Sequence, residues 1–141
     1  MKIQITKEQP ATKEPDVVPV HPDEIDIVED GGCELIRLSQ TLDYCPTPVR
    51  NELFEKVLKK VRYEGTVCIS GLDIISFGLG IANGKYDIDE INLLLFSGGQ
   101  SISDLGTTKA ILLQKDFVIK KTRFDGDMYF IEAQRPGPSN E

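Results

Sequence analysis

Two short stretches carry the residues best suited to chemistry, Asp43-Tyr44 and Gly71-Leu72-Asp73. Each follows an apolar run of strand character, residues 34–38 and residues 66–70. In an open α/β sheet, ligands sit beyond the C-terminal ends of the parallel strands, so both stretches are expected on one rim. There Asp43 or Asp73 would bind a donor group, Tyr44 would stack on a planar one, and Gly71 would let backbone and ligand approach closely. The same residue types also serve turns and caps, with Tyr44 as partly buried packing. From the residues alone both readings stand.

Other chemistries find little support. The single histidine, His21, lies in an acidic, proline-rich stretch, far from any pairing with a nucleophile. Cys33, Cys45 and Cys68 are too widely spaced for a Cys-x-x-Cys pair and are expected as buried free thiols. Asp87, Asp89 and Glu90 lack the spacing and glycine of a calcium loop and suit a helix N-terminus, so no metal site is expected. Gly98-Gly99 has no basic residue after it, which makes it a poor anion cradle. A net charge of -7 and a pI near 4.8 oppose a general grip on nucleic acid. Lys56, Lys59, Lys60 and Arg62 then read as the solvated face of a helix. No run approaches the roughly 20 apolar residues that span a bilayer, and no signal sequence opens the chain, so no membrane contact and a cytoplasmic location are expected.

The elements that must hold the rim are legible in order. With 141 residues, 40% of them hydrophobic, one domain is the expectation. Residues 1–30 read as an extended arm in which residues 2–6 and 16–20 supply one or two edge strands. Residues 31–135 read as the domain proper, and residues 136–141 as a tail. Thr47 and Pro48 open a helix with Val49, Leu53, Val57, Leu58 and Val61 on one face, closed by Tyr63-Glu64-Gly65. A strand, helix and strand succession of this length is a right-handed crossover, and the sheet should be largely parallel. Helices are expected from Ile74 to Ala82, from the capping box Asp87-x-x-Glu90 to Phe96, and after Ser103 or Asp104. Asp125-Gly126 marks a hairpin that returns residues 128–134 antiparallel.

In this order and wording the chain resembles the C-terminal half of class I S-adenosylmethionine-dependent methyltransferases. Leu42-Asp43-Tyr44 is similar to the loop after that family's fourth strand, and Gly71-Leu72-Asp73 to the acid-terminated end of its fifth. Asn92 with Gly98-Gly99-Gln100 resembles a segment of small methyltransferases carried by bacteriophages, and residues 130–135 fit their last strand. The resemblance implies a shortened Rossmann-like sheet, mainly parallel with an antiparallel C-terminal hairpin and helices on both faces. It also implies S-adenosylmethionine as the cofactor, held by Asp43, Tyr44, Gly71 and Asp73, with Asn92 and Gln100 toward a substrate.

The family opens with a strand, a glycine-rich turn and a helix. Here Gly31-Gly32 stands before the strand that matches the fourth, and no such unit precedes it. Two functions follow as expectations. One is a non-catalytic assembly or interaction module, homo-oligomeric or bound to a protein partner, in a phage-infected cytoplasm or virion. The other is a small methyltransferase that completes its site by oligomerisation or with a partner.

Overall fold

The computed structural model describes residues 1–8 and 14–138. Six strands form one sheet: β1 (Lys2–Ile5), β2 (Val17–Val20), β3 (Cys33–Ser39), β4 (Val61–Leu72), β5 (Val118–Asp125) and β6 (Met128–Gln134). Their spatial order is β2-β1-β3-β4-β6-β5. The first four pair in parallel, and β6 pairs antiparallel with both β4 and β5. This is the mainly parallel α/β sheet with a C-terminal hairpin that the sequence implied. Gly126 turns the hairpin at φ +59°, a backbone region that glycine enters without a steric penalty.

Period-two burial builds the core. Ile36, Val67 and Ala133 stand opposite one another across β3, β4 and β6, as do Leu38, Ile69 and Ile131. All six are buried on one face, and helices α1 (Thr47–Lys60) and α4 (Leu105–Gln114) cover them with Leu53, Phe54, Val57 and Leu112. Helices α2 (Ile74–Ala82) and α3 (Ile88–Phe96) follow β4 at the C-terminal rim. Among the described residues no helix is long and apolar enough to cross a membrane.

Three departures from the sequence expectations have local causes. β1 is an interior strand between β2 and β3, not an edge strand, because Ile3 and Ile5 are wholly buried in the core. Burying an isoleucine stabilises by about 1.5–3 kcal/mol, ample reason for these residues to enter the sheet. Helix α1 ends at Lys60 rather than at residues 63–65, since Val61 already pairs with Cys33 in the sheet. The helical cover expected on both faces lies on one over the sheet's centre. On the other face Arg37, Ser39, Cys68, Ser70, Phe130 and Glu132 line an open trough of about 370 Å³. On this face Glu14, which precedes β2, is ion-paired to Arg37 at 2.8 Å. The β1–β2 connection, residues 6–16, is shorter than the dozen or more residues of a usual crossover and holds Pro10 and Pro15.

Candidate functional site

Asp43 sits in a single 3₁₀ turn, Thr41–Tyr44, that β3 delivers to the rim, and it is only 5% exposed. Its Oδ1 accepts from Arg50 Nη1 at 2.8 Å and its Oδ2 from the Leu72 N–H at 2.9 Å. Arg50, in the first turn of α1, is itself buried and lies 3.1 Å from Ser101 Oγ, which donates to the Leu42 carbonyl. The Asp43 carbonyl accepts from the N–H groups of Gln100 and Ser101. Burial pushes the Asp43 carboxyl above its ordinary range, and the Leu72 N–H and Arg50 pull against that rise. The residue joins the end of β3, the end of β4, α1 and the loop after α3.

Asp73 caps twice. Oδ1 accepts the Ser76 N–H at 2.8 Å at the start of α2, and Oδ2 accepts the Leu105 N–H at 2.7 Å at the start of α4. Its own N–H donates to Asp127 in the hairpin turn. Asp127 in turn accepts from Ser76 Oγ, Lys85 Nζ and the Tyr86 hydroxyl, and the Tyr86 bond holds its carboxyl below the ordinary range.

Tyr44 is half-buried beside Gly98, and its carbonyl accepts from Lys7 Nζ at 2.5 Å and from Gln100 Nε2 at 3.4 Å. Gly71 is demanded by packing. A Cβ there would lie 2.9 Å from Tyr129 Oη and 3.1 Å from Asp43 Oδ2. Tyr129 is fully buried with its hydroxyl 3.2 Å from Thr108 Oγ1, so neither neighbour can give. Gly71→Ala is expected to lower stability by about 1–3 kcal/mol, read as a lower urea midpoint at unchanged slope.

The structure therefore brings Asp43, Tyr44, Gly71, Asp73 and Gln100 to one rim. Asn92 stays apart: exposed on α3, it donates to the Ile88 carbonyl of its own helix. Beside Asp43 and Tyr44 a cleft of about 200 Å³ opens, walled by Leu72, Leu94 and Ile102. No group of three His, Cys, Asp or Glu side chains among the described residues is arranged to hold a metal. Sequence reasoning missed Arg50, Ser101 and Tyr129. Arg50 had a signal, since a lone cation at i−3, i−4 and i−7 from Leu53, Phe54 and Val57 stands on the helix's apolar stripe.

Comparison with known proteins agrees with this geometry at the level of fold. An O-methyltransferase family protein from Burkholderia thailandensis superposes with a TM-score of 0.63 at 12% identity, covering 87% of this chain and 37% of that one. A SAM-dependent methyltransferase from Archaeoglobus fulgidus gives 0.61 at 13%, covering 86% and 69%. Magnesium protoporphyrin IX methyltransferase from Synechocystis PCC 6803, solved with bound SAH, gives 0.56 at 14%, covering 84% and 51%. The chain has the Rossmann-like fold of these enzymes. It spans little more than a third of the length of the first. No family model and no curated protein matches the sequence.

Proposed function

We propose that this chain is a methyltransferase-like module without independent catalysis that works through contacts with other proteins. The observation that carries the reading is that the rim is filled from within the chain. Both oxygens of Asp43 and both of Asp73 already hold intrachain donors. The related fold places its glycine turn after the first strand so that backbone can approach the cofactor. Here β1 runs into Thr6-Lys7-Glu8, residues 6–16 hold no glycine, and the Lys7 ammonium lies on the Tyr44 carbonyl across the ends of β1 and β3. S-adenosylmethionine does not fit such a cradle.

One feature favours the second reading, a cofactor site completed by another subunit. Asp23, just beyond β2, is 91% exposed at its side chain, and an acid after the second strand is what ribose hydroxyls require. Calorimetric titration of the purified chain with S-adenosylmethionine and S-adenosylhomocysteine separates the two. No binding heat is expected at millimolar ligand, and saturable binding near one ligand per chain would overturn the proposal.

A further inference from the structure

Helices α2 and α3 present an apolar surface that nothing among the described residues covers. On α2, Ile75 and Leu79 expose 62% and 61% of their surface; on α3, Ile88, Leu93 and Phe96 expose 70%, 64% and 72%. At 3.6 residues per turn the three on α3 fall within an arc of about 140°. Ile74 and Leu94, at 44% and 47%, extend the group. A large apolar side chain carries about 200 Å², so together these offer the roughly 800 Å² that one partner buries in a standard interface. A patch of that size is unusual on a monomer.

Charge and shape select the occupant. Between Ile74 and Phe96 the only cation is Lys85, which is bonded to Asp127, while Asp87, Asp89 and Glu90 are acidic. A membrane-surface helix needs Lys and Arg along its polar face, so a bilayer is a poor match. The 200 Å³ cleft between α3 and the Thr41–Tyr44 turn has Leu93, Leu94 and Leu95 in its wall, whereas Phe96 is not part of it. A protruding ring and a cleft of suitable size thus sit on one surface, the self-complementary arrangement of a two-fold interface.

We infer that the α2–α3 surface is the interface with a second copy of this chain, each Phe96 entering the other copy's cleft. The inference rests on the protein-contact reading above and names its partner.

Sedimentation velocity of the full chain is expected to show the 15.7 kDa species giving way to one of twice that mass as concentration rises. Phe96→Asp and Leu79→Asp should each weaken association by about 100-fold, as loss of a central anchor does. Both sites are exposed, so circular dichroism should be unchanged. Val18→Asp, on the exposed β2 edge, should leave the dimer intact. A chain that stays at 15.7 kDa throughout overturns the inference, as does a dimer indifferent to both substitutions. Co-sedimentation of a monomer with phosphatidylglycerol vesicles overturns it too. Saturable cofactor heat from an intact dimer sinks the non-catalytic reading alone, whereas a monomer without cofactor heat sinks the dimer alone.

Discussion

Asp43→Ala is expected to cost about 3–5 kcal/mol of unfolding free energy, the usual result of removing one member of a buried ion pair. Arg50 remains behind, 6% exposed, with Ser101 Oγ as its surviving side-chain partner, and the Leu72 N–H loses its acceptor. Against the 5–15 kcal/mol of a typical domain, a loss of that size shifts the urea midpoint by a large fraction. The double variant Asp43→Ala with Arg50→Met should recover part of the loss, because no stranded charge remains. A carboxylate that served only a ligand would behave otherwise. Its removal would leave the unfolding free energy within about 0.5 kcal/mol, as for substitutions away from structural features, and would abolish binding instead. Urea unfolding of the two variants therefore tests structural pin against ligand contact directly.

Local signals in the sequence carried far. The Asp87-x-x-Glu90 box closes as expected, with Glu90 N–H on Asp87 Oδ1 and Asp87 N–H on Glu90 Oε1. Asp104 caps α4, and residues 128–134 return as β6. These features depend on residues within a turn of one another, where chemistry and spacing are readable together. What escaped was nonlocal. A four-residue run such as Lys2–Ile5 has the same composition at an edge or in the interior, and only the pairing of Ile3 with both Val18 and Ile36 puts β1 inside. On the helical face Leu53, Val57, Leu58 and Val61 are buried as expected and Val49 alone is not, being 47% exposed while its neighbour Arg50 is buried. The partner that buries Arg50 lies seven residues back on a different element. The rim acids were likewise legible as residues and as positions. Their occupants were not, since the Leu72 N–H stands 29 residues from Asp43 and the Leu105 N–H 32 from Asp73.

Asp73→Ala is expected to cost about 2–4 kcal/mol, because two backbone donors lose their acceptor at once. Removing an N-cap costs about 1 kcal/mol, and an orphaned N–H in a site closed to water costs about 1–3 kcal/mol more. Asp73 is 3% exposed, so water cannot easily replace it. Asp73→Asn should lose about half as much, since the amide keeps one acceptor oxygen for either Ser76 or Leu105 but not both. The damage should also be regional. α2 and α4 both start from this carboxylate, whereas β3 and β4 are held by their own ladder. Amide hydrogen exchange should therefore show lost protection at the first turns of α2 and α4, with the central strands falling only as far as the global stability does. Unchanged protection in both helices would mean that the carboxylate is not what fixes them to the rim. The α2–α3 surface would then owe its orientation to the Phe77–Tyr86 contact, with ring centroids 5.1 Å apart, and to the Ser76–Asp127 bond.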